Sequence, residues 1–303
     1  MKQIILRLSI CILVLTIIGG YCFENTVSAA SSCTVETHSV PVGTGTLFYN
    51  QVGTGQTILL LHGLFAEKEQ WDSMMCQLSE AGYQAIAPDL PGYGNSKGFI
   101  VKDYALENQV TLLHQWIDQV GVQSLDITGS SMGGAIAALY AQRYPNQVRS
   151  LALIGSPLGV IDWANPVKNS ILNGVNPFIP ITKEQFDLEM SLLFVTPPSI
   201  SNSVKTEKVR DYRTRNRHYQ QVWDIVNLYE EVLCQNLSLQ RPTLVIWGKQ
   251  DQIYDIQGAD RLQRCLPGSE MIQLPEAGHL LLIENAAEVA SDYIHFLQTI
   301  RSQ

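Results

Sequence analysis

Ile127-Thr128-Gly129-Ser130-Ser131-Met132-Gly133-Gly134-Ala135 is the stretch on which the reading of this chain turns. It opens at the end of a segment, 124–128, that reads as a strand, and runs into an apolar helix-like segment, 135–144. Between them lies Gly-x-Ser-x-Gly, with Ser131 at its centre. A serine in so tight a strand-to-helix turn takes a strained backbone conformation, which its neighbours tolerate only if they lack side chains. Gly129 and Gly133 supply that space, and Gly134 lets the helix approach the strand. The hydroxyl then projects from the tip of the turn beside the free N–H groups of the helix. A helix N-cap serine after a glycine-rich turn would look the same, so the motif gains meaning only from partners elsewhere.

Outward from this turn the chain alternates. Residues 34–42 and 46–52 read as two short strands, and 57–61 (Thr-Ile-Leu-Leu-Leu) as a strand buried on both faces. A helix is expected over 68–81, a strand over 84–87, a helix over 101–120 and, beyond the serine turn, a strand over 150–154. Val-Gly-Thr-Gly occurs at 42–45 and again at 52–55, and both copies read as hairpin turns. The alternation predicts an α/β protein with a mostly parallel central sheet covered by helices. After the sixth strand the rhythm breaks for about 85 residues, too long and too apolar for a loop. Helix-like segments at 183–194 and 204–233 lie in this stretch, which reads as a helical cap inserted over the upper edge of the sheet. The sheet then resumes at 243–247, with a helix at 258–265, a strand at 270–274 and a last helix at 285–300. The expected organisation is a core of 31–156 and 241–303 with a cap of 157–240.

In such a sheet, functional groups sit just past the carboxyl ends of strands. A serine hydroxyl needs a base to take its proton, and the base needs a third group to fix its tautomer. Asp251 follows strand 243–247, and His279 follows strand 270–274, giving the order Ser131, Asp251, His279. Asp162 and Glu276 compete with Asp251 for the acid role. Of the other histidines, His38, His114 and His295 fall within elements, His218 lies in the cap, and His62 reads as a structural residue of its turn. Two backbone N–H groups must face the developing oxyanion. Met132 follows the nucleophile, and the loop His62-Gly63-Leu64-Phe65 offers Leu64, with Phe65 next.

These residues together resemble the α/β-hydrolase family, over a stretch from about residue 34 to the C-terminus. The resemblance rests on Leu61-His62-Gly63 followed by Trp71, on Pro88-Asp89-Leu90-Pro91-Gly92-Tyr93-Gly94-Asn95-Ser96, on Gly129 to Gly134, and on Trp247-Gly248-Lys249-Gln250-Asp251 with Ala277-Gly278-His279. It implies that Ser131, Asp251 and His279 are nucleophile, acid and base, and that Leu64 and Met132 are the oxyanion donors. Phe194-Val195-Thr196-Pro197-Pro198 and Arg215-Asn216-Arg217-His218-Tyr219 make the cap similar to that of the cap-bearing lipase and monoacylglycerol-lipase branch. Where the family often has proline after the Glu-Asn that follows the histidine, this chain has Ala286-Ala287, which touches only a helix start.

The implied activity is hydrolysis of small-molecule or lipid carboxylic esters through an acyl-enzyme, with no metal or cofactor required. Phe65, Ser130, Met190, Leu193 and Phe194 are the expected substrate contacts, and Trp163 and Ile179 could join them in an acyl pocket. Serine argues against the aspartate-based epoxide hydrolases and haloalkane dehalogenases of this fold. Carbon–carbon bond hydrolysis, perhydrolysis and a low-turnover ligand receptor remain as alternatives.

The net charge of −8 gives no electrostatic reason to expect nucleic acid. Lys2 and Arg7 flank the start of an apolar run, 8–18, followed by Ser28-Ala29-Ala30, the layout of a secretory signal peptide over 1–30. Export is therefore expected, with a retained anchor or a lipidated Cys33 as alternatives and association with a membrane surface in view. Cys33, Cys76, Cys234 and Cys265 would remain after processing and allow three pairings.

Overall fold

The computed structural model describes residues 33–228 and 239–302. The expected signal segment, Cys234 and the last residues of the helix expected at 204–233 lie outside the described residues. Among the described residues there are eight strands: β1 (Glu36–Val42), β2 (Gly45–Val52), β3 (Gln56–Leu61), β4 (Tyr83–Pro88), β5 (Leu125–Ser130), β6 (Val148–Ile154), β7 (Thr243–Gly248) and β8 (Glu270–Leu274). They form one sheet in the order β1-β2-β4-β3-β5-β6-β7-β8. β1 and β2 pair antiparallel, as do β2 and β4, and every other neighbouring pair is parallel.

The continuous apolar strands are explained by two cores, one on each face. Ile58 and Leu60 of β3 pack with Leu244 and Ile246 of β7 on one face, against Trp71, Met75, Tyr293 and Phe296. Leu59 and Leu61 alternate to the other face, where Val245 and Trp247 join Leu113, Trp116, Ile136 and Tyr140. The first face is covered by α1 (Asp72–Glu80) and α10 (Ala286–Arg301), the second by α2 (Leu106–Gln119), α3 (Met132–Arg143) and α8 (Ala259–Cys265). The four leucine and isoleucine side chains Ile58 to Leu61 are wholly buried, each contributing about 1.5–3 kcal/mol of burial.

Between β6 and β7 the described residues form four helices: α4 (Asn165–Leu172), α5 (Lys183–Leu193), α6 (Asn202–Thr214) and α7 (Asn216–Val226). They are joined to the core through two apolar clusters. Phe186, Met190, Phe194 and Val209 close on Leu280, and Val167, Phe178 and Leu192 close on Ile253. Glu284 adds a polar tie: its Oε1 accepts from Val195 N at 2.7 Å, and its Oε2 accepts from Gly278 N at 2.9 Å. One side chain thus fastens the loop before His279 to the segment after α5.

Three expectations change. The segment expected as one helix from 204 breaks at Arg215, because Tyr219 Oη donates to Asp211 at 2.6 Å and the turn carries His218 to the Gly92 carbonyl at 2.7 Å. Tertiary contacts, not a local breaker, decide that turn. The second Val-Gly-Thr-Gly copy is not a hairpin, since β4 lies between β2 and β3. There Gly53 has φ 76°, and a side chain on it would meet the Tyr83 carbonyl at 2.3 Å. The helix expected over 68–81 starts as a 3-10 turn, Lys68–Trp71, before α1.

Cys33 and Cys76 are disulfide-bonded, with Cα atoms 5.6 Å apart, and Cys265 is also disulfide-bonded. The bridge ties the start of β1 to α1, and a lipid thioether on Cys33 would need the same sulfur. Replacing Cys33 and Cys76 together by alanine is expected to cost about 2–4 kcal/mol, lowering the thermal midpoint by about 5–15 °C. An unchanged midpoint by calorimetry would show that the bridge contributes nothing to the fold.

Candidate active site

Ser131 sits between the end of β5 and the first residue of α3, with φ 51° and ψ −119°. A non-glycine residue at positive φ is strained, and three glycines show why the strain is accommodated. A side chain on Gly129 would come within 2.1 Å of the Gly133 carbonyl group, one on Gly133 within 2.2 Å of the Leu61 carbonyl oxygen, and one on Gly134 within 2.5 Å of Ser156. The backbone is pinned as well: Ser131 N donates to the Ile154 carbonyl at 2.9 Å, and Gly134 N donates to the Ser131 carbonyl at 3.0 Å.

Asp251 and His279 meet. The His279 Nδ1–H donates to Asp251 Oδ2 at 2.9 Å, with both side chains nearly excluded from solvent. The other carboxylate oxygen, Oδ1, accepts from Ile253 N at 2.8 Å and Tyr254 N at 3.1 Å, so the acid is held from both sides. That bonding leaves His279 Nε2 as the ring's free acceptor. The two loops interlock at glycine: a side chain on Gly248 would lie 2.3 Å from the Gly278 carbonyl oxygen. Gln250 N donates to the Ala277 carbonyl at 3.0 Å. Asp162 is instead exposed and paired with Lys168, and Glu276 is exposed, so neither rival acid is placed as Asp251 is.

Ser131 and His279 open on one cavity of about 630 Å³. Among the described residues the Ser131 hydroxyl makes no hydrogen bond. The loop after β3 passes directly over it, since a side chain on Gly63 would lie 3.3 Å from Ser131 Cβ. The N–H groups of Leu64 and Phe65 meet no acceptor among the described residues, and Phe65 is itself at φ 56°. Met132, as the first residue of α3, has no acceptor for its N–H within the helix.

His62 is structural. Its Nδ1–H donates to the Gly63 carbonyl at 2.8 Å, and its Nε2 accepts from Leu90 N at 3.0 Å. Complete burial pushes its pKa down to about 4, so the ring is neutral at physiological pH. The neighbouring Asp89 carboxylate accepts from Lys68 N at 2.9 Å, Lys68 Nζ at 3.0 Å and Asn95 N at 2.8 Å, folding the 88–96 loop on itself.

Of the expected substrate contacts, Phe65, Ser130, Met190 and Leu193 line the cavity, as does Trp163. Phe194 does not; it is packed against Phe186, Val209 and Leu280. Ile179 is buried and is likewise absent from the lining. Two polar lining residues went unread in the sequence. Gln70 and Glu189 are both buried, and Gln70 Nε2 and Glu189 Oε2 have no hydrogen-bond partner among the described residues. An unpaired buried polar group costs about 1–3 kcal/mol, so such atoms stand out. Nothing in the periodicity singles them out, because Glu189 lies within a helix whose charged residues read as a solvated face.

Residues 56–286 match the family model described as the alpha/beta hydrolase fold. The chain is 30% identical to lipase 3 of Moraxella sp. (strain TA144) over 80% of its own length and 78% of that protein. It is 27% identical to monoacylglycerol lipase ABHD6 of Bos taurus over 84% of its own length and 79% of that protein. Among solved structures, a membrane phospholipase A, a bacterial virulence factor, superposes with a TM-score of 0.81 at 29% identity, covering 89% of this chain and 87% of that one. With the strand order, the serine turn and these likenesses in agreement, the chain belongs to the α/β-hydrolase family.

Proposed function

We propose that this chain hydrolyses carboxylic esters of lipids through an acyl-enzyme formed on Ser131. The observation that carries the reading is the Asp251–His279 hydrogen bond, which commits Nδ1 and leaves Nε2 free beside the cavity that Ser131 lines. His279 Nε2 takes the Ser131 proton as Oγ attacks the ester carbonyl. The tetrahedral oxyanion is met by the N–H groups of Leu64 and Met132. Collapse breaks the carbon–oxygen bond to the alcohol, which leaves with the proton from His279. Water then repeats the sequence, its proton passing to His279 and its oxygen to the acyl carbon, and Ser131 is released with its hydroxyl restored. Asp251 keeps the imidazole in the tautomer both halves need and stabilises its charged form.

The lipid assignment is supported by the cavity's apolar lining, including Phe65, Leu158, Trp163, Phe178 and Ile253, and by relatives named as lipases. In this reading 31–156 and 241–303 form the catalytic core, and 157–240 form the cap that roofs the cavity. Export is part of the proposal, supported by disulfides at Cys33, Cys76 and Cys265, which are characteristic of oxidising compartments. Contact with a membrane surface is supported by the exposure of Leu172 and Leu228 on the cap side. Among the described residues no helix is long and apolar enough to cross a membrane.

Ser131→Ala is expected to lower kcat on p-nitrophenyl octanoate by about 10⁵–10⁶, and Asp251→Asn by about 10⁴, each in a protein of unchanged circular dichroism. Native turnover in folded Ser131→Ala protein would remove the serine from the mechanism. Across a chain-length series, kcat/KM is expected to rise at least about tenfold from acetate to octanoate as methylenes enter the apolar cavity. A profile that peaks at acetate would contradict the lipid assignment.

A further inference from the structure

The surface charge of the molecule is uneven. The chain carries a net charge of −8, yet Arg210, Arg213, Arg215 and Arg217 are all exposed in the stretch 210–218, which spans the corner between α6 and α7. In the stretch 97–104, Lys97 and Lys102 are exposed as well. The two stretches meet. Lys97, Phe99 and Tyr104 share a second cavity, of about 490 Å³, with Arg215 and His218. His218 Nε2–H donates to the Gly92 carbonyl at 2.7 Å, and its ring meets that of Tyr104 edge-on at 5.5 Å, so the corner is seated on 97–104. Among the described residues Lys97, Lys102, Arg210, Arg213 and Arg217 have no ion pair. The acids of these stretches are engaged: Asp211 takes Tyr219 Oη at 2.6 Å and Arg215 at 3.6 Å, and Asp103 is buried and takes Ile100 N at 3.0 Å. Between the two lysines, Ile100 and Val101 are among the large apolar side chains left exposed.

We propose that residues 97–104 and 210–218 form a docking face for the surface of a bilayer containing anionic phospholipids. This rests on the lipid-ester reading above, and gives the membrane contact named there a lipid charge and a place on the molecule. Each Lys or Arg held near a negatively charged lipid surface strengthens binding about fivefold. The effect falls off within a Debye length, about 10 Å at 0.1 M salt, so cations gathered on one face act together. The same lipid charge repels the molecule as a whole, whose net charge is −8, and the cationic face therefore decides which side approaches. Ile100 and Val101 then enter the interface, while the stems of Lys97 and Lys102 lie along it with their charged ends at headgroup level. Inside the second cavity the Tyr104 hydroxyl has no hydrogen-bond partner among the described residues, and it stands with the Arg215 guanidinium, a fork that matches phosphate oxygens. None of the residues lining this cavity lines the one at Ser131, so docking and catalysis use separate groups.

Binding is measured by co-sedimentation with vesicles of phosphatidylcholine alone and of phosphatidylcholine with phosphatidylglycerol in equal parts. Every protein carries Ser131→Ala, so that no lipid is consumed, and the same residues 1–30, so that their contribution is common to all. At about 0.1 M salt the parent protein is expected to bind the mixed vesicles at least about tenfold more tightly, and to lose the preference at about 1 M salt. Arg213→Gln with Arg217→Gln is expected to weaken binding to the mixed vesicles about thirtyfold. The charge-matched pair Arg143→Gln with Arg264→Gln, exposed residues outside the face, is expected to leave it nearly unchanged. Ile100→Ser with Val101→Ser is expected to weaken binding to both kinds of vesicle. Equal binding to the two kinds of vesicle, or equal losses in the two arginine pairs, overturns the proposal. Binding lost only in Leu172→Ser with Leu228→Ser also overturns it, by placing the contact elsewhere. The salt dependence of the parent protein decides if an arginine pair fails to fold. Turnover of p-nitrophenyl butyrate by protein with Ser131 intact tests the ester-hydrolase reading separately, and Arg213→Gln with Arg217→Gln is expected to retain it.

Discussion

The backbone of Ser131 is held at φ 51°, in a region that costs an ordinary residue about 1–3 kcal/mol, and much of the surrounding structure is arranged to hold it there. Two parallel strands flank β5 and fix where the turn begins, since β3 and β6 are its neighbours in the sheet. The Ile154 carbonyl at the end of β6 receives the Ser131 N–H, so the turn is anchored to the next strand and not only to its own. Gly129, Gly133 and Gly134 lie where a single methyl group would collide with backbone or with Ser156. The same closeness brings the loop after β3 over the serine, with Gly63 against Ser131 Cβ. Strain, the loop after β3 and the position of the hydroxyl are therefore one geometric problem with one solution.

The base is positioned by a second close approach. Gly248 and Gly278 let the loops after β7 and β8 touch, and the Asp251–His279 hydrogen bond spans that junction. Glu284 extends the arrangement upward by binding Gly278 N and Val195 N with its two oxygens. The segment after α5 is thereby tied to the residue preceding His279. The helices between β6 and β7 are also bound through Leu280 and Ile253, each next to or near a member of the Asp–His pair.

How much of this was legible in the sequence depends on whether the signal was local. The serine turn, the doubly buried strands and the positions of Asp251 and His279 after β7 and β8 all follow from short patterns of glycine and apolar residues. Elements whose limits depend on distant contacts were read less well. The break at Arg215 is made by Asp211, Tyr219 and Gly92, and the exclusion of β3 from a hairpin with β2 is made by the insertion of β4. Phe194 reads as a substrate contact by its place in an apolar cap segment, yet the fold turns it toward Leu280. Gln70 and Glu189 carried no sequence signal at all, because a polar residue becomes informative only once it is known to be buried without a partner.

Ser131, and no other serine, is proposed to attack the acyl carbon. The most direct measurement is peptide mapping by mass spectrometry after reaction with a fluorophosphonate ester. A single adduct on Ser131, formed in step with the loss of esterase activity, is the predicted result. An adduct on Ser130 or Ser156, or full inactivation with Ser131 unmodified, would contradict the account.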